Sequence, residues 1–156
     1  MTDIFEDMYL DEKLVDRQIE ANTNLAALET LAAKLYAGGY VNEGFVTAIE
    51  ERENTFATGL QLDNLGVAIP HTDAKYVIKQ SMAIGILKDP VDFQMMGTPE
   101  ITVPVKIIFM LAIKEPKKQL EFLQRLIDVF QDAEKVSKIL AAKSDEEVVH
   151  VFKSII

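Results

Sequence analysis

Residues 103–113 read VPVKIIFMLAI, and this stretch decides the fold class. It is rich in β-branched and aromatic side chains and is nearly without polar breaks. A strand with one face in water would alternate apolar and polar residues, whereas a strand covered on both faces reads as a continuous apolar run. We therefore expect residues 103–113 to form a central strand that is buried on both faces.

Helical patterns lie on both sides of this strand along the chain. Upstream, apolar residues recur at helical spacing over residues 23–37, and a shorter helix follows Asn42. Downstream, Pro116 suits the first position of a helix, and further helical patterns cover residues 133–141 and the stretch after Ser144. This order predicts an α/β fold, with one central mixed β-sheet flanked by helices on both sides.

Shorter apolar stretches supply the other predicted strands. Residues 66–69 form one, which a proline ends because proline has no N–H to donate. Residues 81–87 form another, and residues 91–93 form a short edge strand after a turn at Asp89-Pro90. Residues 59–65, which lead into the strand at 66–69, are predicted to be irregular.

Length and composition favour one compact domain. The 156 residues are 49% hydrophobic, so we expect a single domain over residues 1–156, with a loose acidic segment at residues 1–12. The chain has no cysteine, which excludes disulfides, thiolate metal ligands and a cysteine nucleophile. Neither a signal peptide nor an apolar run of about 20 residues is found, so the sequence predicts a soluble, cytoplasmic protein without membrane insertion.

The charge balance argues against nucleic acid as a partner. Sixteen basic and twenty-five acidic residues give a net charge of −9. Proteins that bind nucleic acid usually carry a basic patch or stripe, and the sequence shows none. An acidic protein is compatible with a basic protein partner.

The chain has two histidines, and they differ in context. His150 falls opposite the apolar face of the last predicted helix, so we expect an ordinary exposed side chain. His71 follows a predicted strand in the segment IPH, where side chains often reach a cleft. Two distant histidines without cysteine do not make a metal site, and no phosphate-binding loop or dinucleotide motif is present, so no metal and no cofactor is expected.

Two interpretations of His71 follow from its neighbours. Thr72 and Asp73 read as the start of a helix, whose free N–H groups could bind an anion beside the imidazole. The alternative is a histidine in a turn that is hydrogen-bonded to Asp73. Local chemistry alone favours the alternative.

Two groups of motifs carry a family resemblance. The first is ERE at residues 51–53, TGL at 58–60 and GVAIPH at 66–71, and the second is FQMMGT at 93–98 and QLEFL at 119–123, on either side of the long apolar run. Together they resemble the enzyme IIA domains of the fructose, mannitol and galactitol class in the bacterial sugar phosphotransferase system. The second group is most similar to the galactitol-type branch.

The resemblance implies a function and a set of partners. His71 would accept a phosphoryl group from the histidine phosphocarrier protein and pass it to a cysteine of enzyme IIB. Enzyme IIC, in the membrane and on a separate chain, would take up galactitol or a related sugar. The chain would therefore be a phosphotransferase that acts as a phosphohistidine carrier.

The resemblance also implies supporting residues. Arg52 matches the arginine of the active-site segment, and its guanidinium could stabilise the phosphoryl charge, although a surface salt bridge with Glu51 or Glu53 is the alternative. Thr58 could donate its hydroxyl to the phosphoryl group. The mannitol-type branch has a second histidine where an ungapped alignment places Gln119 here, which favours the galactitol-type branch.

Two other hypotheses compete with a transport role. Some related domains are phosphorylated on the same histidine but regulate other proteins, so this chain could be a regulatory interaction module. A degenerate domain would be expected to have lost His71, Arg52 or the TGL segment, and all three are present.

Overall fold

The computed structural model describes residues 7–156 and shows a single domain. Within these residues the strands are β1 (Val15–Ile19), β2 (Gly59–Gln61), β3 (Gly66–Ala68), β4 (Ser81–Met95) and β5 (Thr98–Ala112). The helices are α1 (Asn24–Ala37), α2 (Gly44–Thr55), α3 (Pro116–Phe130), α4 (Ala133–Ala141) and α5 (Asp145–Ile155). None of the helices in this range is long and apolar enough to cross a membrane.

The centre of the sheet is the long hairpin of β4 and β5. The two strands run antiparallel from the pair Ser81 and Ala112 at one end to the pair Met95 and Thr98 at the other. Gly97 lies in the connecting turn with φ +77°, a left-handed conformation that glycine adopts without steric cost. This hairpin provides the frame on which the other strands pair.

The remaining strands pair with the hairpin in both directions, so the sheet is mixed. β1 runs parallel to β4, and β3 runs parallel to β5. β2 runs antiparallel to β3, and its Gly59 pairs with Met95 at the far end of β4. The predicted mixed sheet is therefore confirmed.

Over residues 107–112, strand β5 is buried on both faces, as the apolar run predicts. Ile107, Phe109 and Leu111 belong to one apolar cluster, whereas Ile108 and Met110 belong to the other. All five side chains are fully buried. Side chains alternate between the faces of a strand, so this one stretch contributes to both cores at once.

Each face of the sheet is covered by its own set of helices. The cluster around Phe109 includes side chains of α3, α4 and α5, and the opposite cluster includes side chains of α1 and α2. The predicted helices on both sides of the sheet are thus confirmed. Helix α1 begins after Thr23, whose hydroxyl accepts a hydrogen bond from Ala26 N–H at 3.2 Å.

The prediction of two separate strands at residues 81–87 and 91–93 is wrong. Both belong to the single strand β4 (Ser81–Met95), and the expected turn at Asp89-Pro90 lies inside it. The register with β5 shifts between Ile86 and Val91, and residues 88–90 within this interval are exposed. A proline is tolerated at such an irregularity because its missing N–H leaves no ladder hydrogen bond unmade.

Three further features were not predicted correctly from the sequence. Strand β1 was missed because it is short and rich in polar residues, and the three-residue strand β2 lies within residues 59–65, which were wrongly predicted to be irregular. The segment at residues 1–12 was expected to be loose, yet Met8 and Leu10 are buried and Tyr9 forms a parallel bridge with Ser81. Residues 1–6 lie outside the part of the chain that the structure describes.

Replacing Phe109 should test the dependence of the fold on β5. The Phe109 ring is fully buried, with ring centroids 5.1 Å from Phe130 and 5.9 Å from Phe152. Phe109→Ala leaves a cavity and should lower the free energy of unfolding by about 3–5 kcal/mol, measured by urea denaturation. Ile101→Ala, on the same strand but 46% exposed, should cost less than about 1 kcal/mol. Equal losses in the two variants would contradict this account.

Candidate functional site

The segment that carries His71 is held by hydrogen bonds on both sides of the histidine. On one side, the Pro70 carbonyl accepts a bond from Leu111 N–H of β5 at 2.9 Å. On the other, the Thr72 carbonyl accepts a bond from Nε2 of Gln119 in α3 at 3.1 Å. The backbone around His71 is therefore tied to the central strand and to a helix.

The His71 ring has a defined tautomer. Its Nδ1 lies 2.8 Å from the Ile69 carbonyl oxygen. A carbonyl oxygen can only accept, so the bond requires a proton on Nδ1. The neutral ring then carries its lone pair on Nε2, and no group within residues 7–156 forms a hydrogen bond with that atom. The imidazole presents Nε2 as its nucleophilic atom.

Burial keeps the His71 imidazole neutral. The pKa of His71 is lowered from its ordinary value, chiefly because the partly buried site penalises the charged ring. The hydrogen bond to the Ile69 carbonyl opposes this change, and the positive charge of Arg52 lowers the pKa further. The ring is thus in its nucleophilic form at neutral pH.

Arg52 lies on α2 and reaches the segment after His71. Its Nη2 donates to Oδ1 of Asp73 at 2.6 Å, and the guanidinium carbon lies 5.5 Å from the centre of the Phe56 ring. The alternative interpretations of a pair between Arg52 and a neighbouring glutamate, and of a bond between His71 and Asp73, are therefore wrong. Asp73 binds the arginine, and the histidine binds a backbone carbonyl.

Thr58 does not direct its hydroxyl at a ligand. Its Oγ1 and its N–H donate to the two carboxylate oxygens of Glu53, both at 2.7 Å, and both residues are buried. Burial raises the pKa of Glu53, while these two hydrogen bonds lower it. The Thr58 carbonyl accepts a bond from Ile69 N–H at 3.4 Å. Thr58 therefore connects the end of α2 to the segment before His71.

The expected helix start at Thr72 and Asp73 is wrong. The chain forms only a single 3-10 turn at Ala74–Tyr76, and the Asp73 side chain does not cap it. One such turn lacks the aligned peptide dipoles that make a helix N-terminus attract anions. Positive charge at this site comes from Arg52 instead.

An open cleft of about 200 Å³ lies beside the histidine segment. Its lining includes Arg52, Phe56, Thr72, Asp73 and Tyr76. Phe56 is 63% exposed, so an apolar ring borders the cleft. His150, by contrast, is exposed on α5, as the sequence predicts.

The spacing of residues in α2 indicates a buried position for Glu53, although it did not enter the prediction of the site. Phe45, Ile49 and Glu53 follow one another at four-residue spacing, which places all three on the inner face of α2. An acidic residue at such a position needs a buried hydrogen-bond partner. The carbonyl of Ile69 as partner of His71 had no comparable signal, because backbone groups leave no trace in a sequence.

The comparisons with known proteins give the family of the chain. Residues 8–155 match the family model described as phosphoenolpyruvate-dependent sugar phosphotransferase system, EIIA 2. The chain belongs to this EIIA family. It is therefore an EIIA-type domain, the component that transfers phosphoryl groups in sugar transport, and the family predicted from the motifs is confirmed.

Curated relatives of the EIIA domain differ in their roles. The transcriptional regulator ManR of Bacillus subtilis is 34% identical over 101 residues, which cover 65% of this chain and 14% of the regulator. The mannitol-specific enzyme IIA component of Staphylococcus aureus is 28% identical, and the match covers 86% of this chain and 88% of that protein. The galactitol-specific EIIA component of Escherichia coli is 29% identical, and the match covers 72% of this chain and 75% of that protein.

The fold is also that of solved enzyme IIA structures. The complex of enzyme IIAMTL and phosphorylated enzyme IIBMTL from Escherichia coli contains a chain that matches with a TM-score of 0.77 and 18% identity. The match covers 94% of this chain and 99% of that one. At this level of identity the likeness establishes the fold.

Protonation of His71 should make the domain less stable in acid. The unfolded chain takes up a proton near pH 6.5, whereas the folded state, with its lowered pKa, resists protonation. The contribution of His71 to stability is therefore present above about pH 6.5 and is lost as the pH falls below it. Urea denaturation between pH 8 and pH 5 should show a steeper loss for the wild type than for His71→Ala. Parallel profiles would show that the folded-state pKa is not lowered.

Substitutions at Glu53 should separate hydrogen bonding from charge. Glu53→Ala leaves the buried N–H and hydroxyl of Thr58 without an acceptor and should cost about 1–3 kcal/mol per unsatisfied group. Glu53→Gln can still accept from the N–H and can donate to the hydroxyl oxygen, so its loss should be clearly smaller. Urea denaturation measures both. A Gln variant as unstable as the Ala variant would mean that the charge of Glu53 is required.

Proposed function

We propose that this domain is a phosphohistidine carrier for the uptake of galactitol or a related sugar. It accepts a phosphoryl group from the histidine phosphocarrier protein on Nε2 of His71. It then passes the group to a cysteine of enzyme IIB, and the membrane enzyme IIC lies on a separate chain. The hydrogen bond from Nδ1 of His71 to the Ile69 carbonyl is the observation that carries the proposal, because it leaves Nε2 free to attack.

The transfer chemistry balances without a further reactant. The Nε2 lone pair of His71 forms a bond to phosphorus as the nitrogen–phosphorus bond of the donor breaks. The His71 ring gains positive charge, and the Nδ1–H bond to the Ile69 carbonyl strengthens as it does so. In the second step a cysteine thiolate forms the sulfur–phosphorus bond, and the neutral imidazole leaves.

Arg52 supplies the positive charge that this transfer needs. Phosphoryl transfer depends mainly on positioning and on stabilising the charge of the phosphoryl oxygens. The guanidinium is close enough to His71 to affect its pKa and carries several N–H donors in one plane. In this proposal Thr58, Thr72 and Gln119 hold the histidine segment in place. The Thr58 hydroxyl donates to Glu53, and the Gln119 amide donates to the Thr72 carbonyl, so neither points at the phosphoryl group.

Exposed apolar side chains next to the site support a protein partner. Phe56 lines the cleft and is 63% exposed, and Leu120, next to Gln119 on α3, is 69% exposed. Exposed aromatic and aliphatic side chains are typical anchors of protein–protein interfaces. Enzyme IIB is the acceptor in this proposal, in keeping with the solved complex of enzyme IIAMTL with phosphorylated enzyme IIBMTL.

The assignment to galactitol rests on Gln119. A glutamine amide can donate a hydrogen bond but cannot take up a proton at neutral pH, so it cannot do the work of a second titrating histidine. Its Nε2 donates to the Thr72 carbonyl, a structural role that needs no titration. Overall identity does not separate the branches, because the galactitol and mannitol relatives are 29% and 28% identical.

A regulatory domain is the second candidate function. The similarity to the regulator ManR, of which this chain spans 14%, favours it. In that case His71 would still be phosphorylated, but no enzyme IIB would accept the phosphoryl group from it. Incubating the phosphorylated domain with a galactitol-type enzyme IIB distinguishes the two roles. Transfer to the IIB cysteine supports the carrier, and retention on His71 supports the regulator.

Intact mass should show one added phosphoryl group on the wild-type domain. The protein is incubated with enzyme I, the histidine phosphocarrier protein and phosphoenolpyruvate. His71→Ala should gain no mass, because it lacks the nucleophilic nitrogen. His150→Ala, which changes the other histidine of the chain, should be phosphorylated like the wild type. Nitrogen-15 NMR of the product should place the phosphoryl group on Nε2.

Three results would contradict the proposal. One is phosphorylation of His71→Ala, and another is absence of phosphorylation in the wild type with partners shown to be active. A phosphoryl group on Nδ1 would contradict the tautomer assignment. Circular dichroism of His71→Ala must show a folded domain, so that loss of phosphorylation reports on the side chain.

A further inference from the structure

The guanidinium of Arg52 is only partly occupied. Nη2 donates to Asp73, while Nε and Nη1 have no hydrogen-bond partner among residues 7–156. The side chains of Arg52 and Asp73 are 30% and 58% exposed. The Phe56 ring lies beside the guanidinium. Arg52 is thus held on one side by a carboxylate, and its remaining donors are available to a second anion.

A phosphoryl group on His71 would be that second anion. Its oxygens and the Asp73 carboxylate would then share one positive charge. We propose that Asp73 is a positioning residue that shares Arg52 with the phosphoryl group and so limits how strongly phosphohistidine 71 is stabilised. This inference rests on the proposed carrier function, since it concerns the same phosphohistidine.

Sharing the arginine has a consequence for a carrier. If the phosphorylated state of His71 were stabilised too strongly, transfer of the phosphoryl group to the next protein would become less favourable. A carboxylate that retains part of the arginine's charge weakens this stabilisation. Asp73 would therefore keep His71 a good phosphoryl donor as well as a good acceptor.

Neighbouring acidic residues do not share this position. Glu51 lines the same cleft, but its carboxylate forms no ion pair within the described residues. Glu53 is buried, and both its oxygens accept from Thr58. Among these carboxylates, Asp73 contacts the guanidinium.

The test measures the phosphorylation equilibrium. Phosphorylated histidine phosphocarrier protein is mixed with each variant, and intact mass gives the phosphorylated fraction of both proteins. Asp73→Asn removes the competing charge but keeps the size of the side chain. The equilibrium constant for phosphorylation of His71 should rise about two- to fivefold, the range of an exposed ion pair. Transfer back to the unphosphorylated phosphocarrier protein should slow correspondingly.

A double-mutant cycle shows whether Asp73 acts through Arg52. Asp73→Asn should have no effect on the equilibrium in an Arg52→Ala background. Asp73→Glu should return the constant toward the wild-type value. Glu51→Gln removes a charge from the same cleft without breaking the pair, and it should change the constant less than Asp73→Asn. Urea denaturation of all variants should be nearly unchanged, because the pair is exposed.

Several outcomes would overturn the inference. An unchanged or lower equilibrium constant in Asp73→Asn would do so, as would an effect that persists without Arg52. An equal effect of Glu51→Gln would show a general response to charge. These results differ from failure of the carrier function itself, which would appear as a wild-type domain that gains no phosphoryl group.

Discussion

The burial of β5 on both faces is the constraint on which the rest of the structure depends. A strand that is apolar on both sides is stable only when each face is covered, so helices must pack above and below it. The hairpin with β4 supplies its antiparallel neighbour, and β3 pairs along it in parallel. The two helical layers then follow from the two faces of one strand.

Strand β5 also fixes the position of His71. The Pro70 carbonyl is bonded to Leu111 of β5, so the segment after β3 is held against the most buried part of the fold. The same partial burial lowers the pKa of His71, and the Ile69 carbonyl selects the tautomer. Packing of the core therefore sets both the protonation state of the ring and the nitrogen that it presents.

Two hydrogen-bonded pairs at the site differ in burial. Glu53 is buried and satisfied by Thr58, which makes it part of the framework. Arg52 and Asp73 are partly exposed, which leaves their pair weak and open to competition. A phosphoryl group that comes and goes needs such an adjustable partner, whereas the backbone beneath it needs a fixed one.

Sequence patterns predicted much of this protein. Residues 103–113, the helical periodicities and the proline at the start of α3 were sufficient for the fold class, and the motifs around His71 were sufficient for the family. These features are local, so periodicity and side-chain chemistry reveal them. Strand β1 was missed because it is polar and its partner β4 is distant in sequence, and β2 was missed because it is only three residues long.

The tertiary structure alone decided the partners at the site. Arg52 and Asp73 are separated by 21 positions, and Gln119 and Thr72 by 47, so no local pattern pairs them. The two carboxylates next to Arg52 in sequence were the alternative partners considered for it, yet α2 turns one of them inward to Thr58. The sequence by itself determined which groups are available. Only the folded chain determined which of them meet, because those contacts depend on how distant elements pack.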